Sequence, residues 1–127
     1  MDRGPPDGAG LRDTEASRTQ RPGVCGHHLW EIHEAFSAQV LFHLKALESS
    51  EFLRARARVD VSLGTFPRER MNPNGGSIAL GHPFGATGAR ILSQAVKELS
   101  SRPAGECAIV SICADCGQGT VALLEAA

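Results

Sequence analysis

Long apolar runs are missing from the sequence. The longest, AIVSIC and TVALLEAA, are far shorter than the roughly 20 residues that a membrane-spanning helix needs. No apolar signal-peptide stretch follows Met1. We therefore expect no membrane span and a cytoplasmic location.

An excess of charge of one sign is missing as well. The chain has 13 basic and 14 acidic residues, a formal net charge of -1 and a pI of about 6.5. No overall positive field draws such a chain to nucleic acid or to acidic membranes. Its four cysteines, without a secretion signal, are typical of thiols or ligands rather than of a disulfide framework. We expect no nucleic-acid partner and a reducing compartment.

The composition divides the chain into two segments. Residues 1–28 hold five glycines, three prolines and many charges without apolar periodicity, which predicts a disordered N-terminal arm. Residues 29–127 carry the patterns of one folded domain. This domain opens with LWEI, which predicts a strand, and apolar residues at helical spacing then predict a helix from about Glu34 to Leu47.

The rest of the domain completes an α/β pattern. Residues 48–70 are mixed and predict a loop, with a helical turn as the alternative. An apolar stripe after a glycine-rich stretch predicts a helix from about Gly85 to Ser100. ECAIVSIC and GTVALLEA are short, apolar and β-branched, so they predict two consecutive, largely buried strands. The order strand, helix, loop, helix, strand, strand indicates the α/β class.

Two histidines stand in motifs that suit chemistry. His82 lies in NGGSIALGHPFGATGAR, framed by glycines and a proline beside the start of the second predicted helix. A histidine at a helix N-terminus suits acyl-transfer or phosphate chemistry, and a structural turn histidine is the alternative. His33, in EIHEAF, lies at a strand-to-helix junction, where capping and core packing are the ordinary roles.

The cysteines of CADCGQG follow a predicted strand, which is a usual place for active residues in α/β folds. Cys113 and Cys116 have three interpretations. They can bind zinc or act in redox chemistry, but no second pair has ligand spacing, and Cys25, His27 and His28 lie in the predicted arm. They can be buried structural thiols. The third interpretation is a catalytic acid/base thiol.

Together, WEIHEAFSAQV, NGGSIALGHPFGATGAR and CADCGQGTVALLEA, in this order, resemble the C-terminal domain of thiolases, the acyl-CoA acetyltransferases. The resemblance covers residues 29–127, and HEAF and GHPFGATG are most similar to the 3-ketoacyl-CoA thiolases of trifunctional β-oxidation complexes. It implies part of a thiolase-like α/β fold. It also implies acyl-CoA and coenzyme A as substrates, no cofactor or metal, and the mitochondrial matrix in a eukaryote.

The resemblance implies a role for each matched residue. His82, which follows Gly81, takes the proton from a nucleophilic cysteine and helps to bind the oxyanion. Cys113 is the general acid/base toward the coenzyme A thiol or the acyl α-carbon, and His33 helps to hold the water or donor of the oxyanion site. In the turn around Gly117 a backbone N–H contributes to a second oxyanion hole.

The sequence departs from the family in two respects. The Cys-Ser-x-Gly segment that carries the thiolase nucleophile is not among these 127 residues, so His82 and Cys113 have no thiol to activate within them. Asp115 and Cys116 stand where small residues are usual. A carboxylate at Asp115 brings negative charge toward developing negative charge, and any positive φ at Cys116 costs on the order of 1 kcal/mol.

We therefore expect the C-terminal part of a thiolase-type acyltransferase, inactive alone. It should expose apolar surface that binds a thiolase N-terminal half or a second copy of the chain. One alternative is a non-catalytic, truncated or degenerate thiolase. Another is a Cys-x-x-Cys metal or redox protein, which would contain stoichiometric zinc.

Overall fold

The computed structural model describes residues 29–127, apart from the side chain of Asp115; the predicted arm, residues 1–28, lies outside this range. The strands are β1 (Leu29–Ile32), β2 (Cys107–Cys113) and β3 (Gly119–Glu125). The helices are α1 (Ser37–Glu48), α2 (Ser50–Phe52), α3 (Ser77–Leu80) and α4 (Thr87–Leu99). A π-helical turn spans Leu53–Ala57, and 3₁₀ turns span Arg68–Arg70 and Asp115–Gly117.

The strands form one mixed sheet in the order β1-β2-β3. β1 runs parallel to β2, with Ile32 opposite Ser111, and β3 runs antiparallel to β2, with Gly119 opposite Cys113. Because parallel strands end at the same edge of a sheet, the residues that follow β1 lie beside the end of β2. This edge holds the site described below.

The two long helices pack on opposite faces of the sheet, which gives the α/β layers that the sequence predicts. Helix α4 buries one side of its apolar stripe against β1 and β2, in a cluster of Leu29, Ile91, Ala95, Leu99, Ala108, Val110 and Ala126. Helix α1 packs on the other face, in a cluster of Trp30, Ile32, Val40, Leu44 and Phe66. The rings of Trp30 and Phe66 have centroids 4.9 Å apart.

The helix boundaries differ from the predicted ones by up to three residues. The first helix begins at Ser37 rather than at Glu34, because the backbone is still paired with β2 at His33 and is extended at Phe36, with φ of -145° and ψ of 135°. The second helix begins at Thr87 rather than at Gly85, whose φ of 80° is not helical. The segment of residues 48–70 contains α2 and the π-helical turn, so its helical alternative is confirmed.

The prediction that both C-terminal strands are largely buried is wrong for β3. Val121 is 70% exposed and Leu123 is 51% exposed, whereas Ala122 and Leu124, on the other face, pack against the α4 cluster. An apolar, β-branched sequence predicts a strand, but it does not reveal whether both faces are covered. Other large apolar side chains are also exposed, among them Leu41, Phe42, Ile78 and Leu80.

Candidate active site

His33 and Cys113 lie side by side where β1 and β2 end. The backbone N–H of His33 donates to the Ser111 carbonyl at 2.8 Å, which continues the pairing of β1 with β2 by one residue. The His33 side chain is 6% exposed, and its Nδ1 lies 3.3 Å from both the Sγ and the carbonyl oxygen of Cys113. The Cys113 thiol also faces Gln39 Oε1, at 3.9 Å. The two predicted residues therefore form an imidazole–thiol pair.

His82 joins this pair from the glycine-rich loop. Gly81, just before it, has φ of 97°, a conformation that a side chain disfavours, and this turns the chain back toward the sheet edge. His82 Nδ1 lies 3.2 Å from His33 Nε2 and 2.7 Å from Thr87 Oγ1. The two imidazole centroids are 4.4 Å apart. The structure thus brings together His33, His82 and Cys113, although His33 and Cys113 are separated by 80 positions in the sequence.

Burial controls the charge of His33. Removal from water lowers the pKa of its imidazole, and the hydrogen bond to the Cys113 carbonyl opposes this effect in part. Repulsion by His82 and Arg90 lowers the pKa further. His33 is therefore a neutral imidazole at pH 7, with one protonated and one bare ring nitrogen.

Glu34, which the sequence places with His33 at the strand-to-helix junction in a capping or packing role, ties the His33 segment to the glycine-rich loop. Its carboxylate accepts from Asn72 Nδ2 at 2.7 Å and from the Ile78 backbone N–H at 3.0 Å. Asn72 in turn pairs with the Ile32 backbone, accepting its N–H at 2.8 Å and donating to its carbonyl at 3.0 Å. These contacts hold the end of β1, and hence His33, against the loop that carries His82.

Replacing Gly76 by alanine should disrupt this connection. A Cβ at Gly76 would overlap the Glu34 carboxylate, which is held by Asn72 and Ile78. We expect Gly76→Ala to lower the free energy of unfolding by about 1–3 kcal/mol, measured by urea denaturation. Gly88→Ala is the matched control, because its Cβ would meet only Ile112 at an ordinary 3.6 Å inside α4 and should be neutral or stabilising. Equal effects of the two substitutions would contradict this reasoning.

The turn after Cys113 carries a left-handed residue that is not glycine. Cys116 has φ of 59° and Gly117 has φ of 72°, so the positive φ anticipated at residue 116 is present, at a cost on the order of 1 kcal/mol for a cysteine. Ala114 N–H donates to the Gln118 carbonyl and closes the turn at 2.9 Å. The Asp115 side chain lies outside the described part of the chain, so its predicted effect on the site stays a prediction.

The site opens into a cavity of about 680 Å³. Its polar lining comes from His33, His82, Cys113 and Gln39, and its apolar lining includes Phe36 and Phe84. Phe84 is 89% exposed and its ring centroid lies 4.9 Å from that of His82. A cavity of this kind, apolar with a few convergent polar groups, is typical of small-molecule sites.

Two further features bear on the alternatives. Within residues 29–127 no group of three or more His, Cys, Asp or Glu side chains is placed to hold a metal ion. Cys107, Cys113 and Cys116 are thiols rather than parts of a disulfide.

In the same part of the chain, no helix has the length and apolar character required to cross a membrane.

Taken together, the geometry defines an α/β domain with a thiol and two imidazoles at the carboxyl edge of its sheet. A family model described as the C-terminal domain of thiolase matches residues 24–126. This chain belongs to the thiolase family through that domain.

Curated relatives agree with the family assignment. The chain is 39% identical over 98 residues to a probable 3-ketoacyl-CoA thiolase of Caenorhabditis elegans and 44% identical over 97 residues to a 3-ketoacyl-CoA thiolase of Pectobacterium carotovorum. It is 42% identical over 98 residues to the mitochondrial trifunctional enzyme subunit beta of Bos taurus. These matches cover 76–77% of this chain but only 20–22% of each relative. The chain thus spans about a fifth of their length.

Proposed function

We propose that this chain supplies the acid/base part of a thiolase-type acyl-transfer site and that a separate segment supplies the nucleophilic cysteine. The observation that carries the proposal is the contact of His33 with both His82 and Cys113, at 3.2 and 3.3 Å, at the mouth of one cavity. The substrates are acyl-CoA thioesters or 3-ketoacyl-CoA with coenzyme A, in fatty-acid metabolism, and no further cofactor takes part.

His82 acts as the base toward the nucleophile. Its Nδ1 is engaged by Thr87 and His33, which leaves Nε2 as the nitrogen that receives the nucleophile's proton. The thiolate attacks the thioester or ketoacyl carbonyl, and the Nε2–H of His82 then donates to the oxyanion, with His33 beside it. Gly81 shapes the loop that carries His82, and Gly117 shapes the turn after Cys113. A backbone N–H of that turn is the further oxyanion donor.

Cys113 exchanges protons with the substrates rather than with the nucleophile. Its thiol gives a proton to the departing acyl α-carbon and, as a thiolate, takes one from coenzyme A before the acyl group is transferred. The exposed Phe36 and Phe84 line the path that an acyl or pantetheine chain would follow. The partner is a thiolase N-terminal half, or another copy of this chain, and the location is the cytoplasm, or the mitochondrial matrix in a eukaryote.

Acetoacetyl-CoA thiolysis tests the proposal. The purified chain should show no turnover alone, because the nucleophile is not among its 127 residues. A mixture with a thiolase N-terminal half that carries the nucleophilic cysteine should show turnover, followed as coenzyme A-dependent loss of acetoacetyl-CoA. The matched control is the same mixture with Cys113→Ala, which should be inactive.

Two results would overturn the proposal. Turnover by the chain alone that depends on Cys113 would show that no separate nucleophile is required. Binding of the N-terminal half without any turnover would identify the chain as a non-catalytic thiolase segment. The left-handed conformation of Cys116 would then be a structural reason for the missing activity.

A further inference from the structure

His33 bridges the two groups to which the proposed function gives opposite proton-transfer roles. Its Nδ1 lies 3.3 Å from Cys113 Sγ, and its Nε2 lies 3.2 Å from His82 Nδ1. An imidazole can take a proton on one nitrogen and release one from the other. We propose that His33 is a proton-transfer link that couples the protonation of His82 to that of Cys113. The catalytic use of this link rests on the proposed function, but the link itself does not.

The hydrogen-bond partners fix where the protons begin. The Cys113 carbonyl, 3.3 Å from His33 Nδ1, only accepts, so His33 carries its proton on Nδ1 and leaves a lone pair on Nε2. That lone pair faces His82 Nδ1. The Thr87 hydroxyl lies 3.2 Å from the Pro83 carbonyl, to which it donates, so its oxygen presents a lone pair to His82 Nδ1 at 2.7 Å. Both neighbours therefore favour a protonated Nδ1 on His82.

The transfer balances in protons and charge. When His82 Nε2 takes a proton from an external thiol, the Nδ1–H bond of His82 breaks and a bond to His33 Nε2 forms. With Cys113 in its thiolate form, the Nδ1–H bond of His33 then breaks as Cys113 Sγ takes that proton. The external thiol ends as a thiolate, Cys113 ends as a thiol, and both imidazoles are again neutral. The proton removed from the nucleophile is thus delivered to the group that must act as the acid.

Burial makes His33 suited to pass a proton rather than to keep one. Removal from water lowers the pKa of the His33 imidazole, so the doubly protonated form does not accumulate. Thr87, which is 3% exposed at the start of α4, holds His82 Nδ1 within reach of His33. Asparagine in place of His33 keeps a polar side chain but has no pair of nitrogens that can exchange a proton in this way.

Alkylation of Cys113 by iodoacetamide in this chain alone tests the link, because thiolate rather than thiol reacts. A protonated His82, joined to Cys113 through His33, stabilises the Cys113 thiolate, so at pH 7 His82→Asn should slow alkylation of Cys113 roughly three- to tenfold. His33→Asn should slow it at least as much, and adding His82→Asn to His33→Asn should have no further effect. Mass spectrometry of peptides, with fragment ions that separate Cys113 from Cys116, gives each rate.

The controls separate the link from a general effect on folding. Cys107 lies at the opposite end of β2 from Cys113, so its alkylation rate in the same samples reports on loss of the fold. His43→Asn removes an exposed histidine of α1 and should leave both rates unchanged. An unchanged Cys113 rate in His82→Asn would overturn the inference. The inference would also be overturned if adding His82→Asn to His33→Asn slowed Cys113 alkylation by as much as His82→Asn does alone. Neither outcome depends on whether the mixed thiolysis assay shows turnover.

Discussion

Alanine in place of His82 is expected to lower acetoacetyl-CoA thiolysis, by this chain mixed with a thiolase N-terminal half, by about 10²- to 10⁴-fold. The loss reflects the missing base and the missing oxyanion donor, both of which the proposal assigns to one imidazole. The effect should fall on kcat more than on KM, because these interactions strengthen in the transition state. Initial rates over a range of substrate concentrations measure both constants.

His43→Ala is the matched control for this substitution. It removes a histidine from the exposed side of α1, which does not line the cavity around His82, and the rate should stay within twofold of wild type. If the mixture with His82→Ala keeps more than about a tenth of the wild-type kcat, the His82 imidazole is not the base.

Much of this fold is readable from local patterns. LWEI and ECAIVSIC predict strands because β-branched and apolar residues pack well in a sheet, and β1 and β2 form where expected. The stripe with Ile91, Ala95 and Leu99 predicts the face that α4 buries. The exposure of β3 was not predictable, because a strand's sequence reports its preference for a sheet and not what covers its faces.

The site was predictable only in part. His33, His82 and Cys113 stand in motifs, and the parallel pairing of β1 with β2 places two of them at one sheet edge. The contact of Glu34 with Asn72 was not predictable, because it spans 38 residues and NPNGG reads as an ordinary turn. The one available signal for Asn72 is its tolerance of the left-handed region, where it lies with φ of 47°.

A buried carboxyl group near the site has its own consequence for stability. Glu31, on β1, is 1% exposed on the face that α4 covers, where Gln94 Nε2 donates to it at 3.3 Å. Burial raises the pKa of Glu31 to about 7, and the attraction of Arg90 and the hydrogen bond of Gln94 oppose this only in part. The folded protein therefore holds a proton on Glu31 at pH values at which the unfolded chain has released it.

The stability of the chain should fall as pH rises through the pKa of Glu31. With a pKa of 4.5 unfolded and about 7 folded, the contribution of Glu31 is fully present below pH 4.5 and is lost as pH rises through about 7. Relative to Glu31→Gln, whose amide does not titrate, the wild type should lose about 2 kcal/mol in its free energy of unfolding between pH 5 and pH 8. Urea denaturation of both proteins at each pH measures the difference.

The comparison with Glu31→Gln isolates the carboxyl group from the histidines. The lowered pKa of His33 acts in the opposite direction, because that imidazole stays neutral when folded and stability rises with pH through its range. This contribution is present in both proteins and cancels. Glu51→Gln makes the same chemical change at an exposed position and should stay within about 0.5 kcal/mol of wild type at both pH values. A constant difference between wild type and Glu31→Gln from pH 5 to pH 8 would show that Glu31 is ionised in the folded protein throughout.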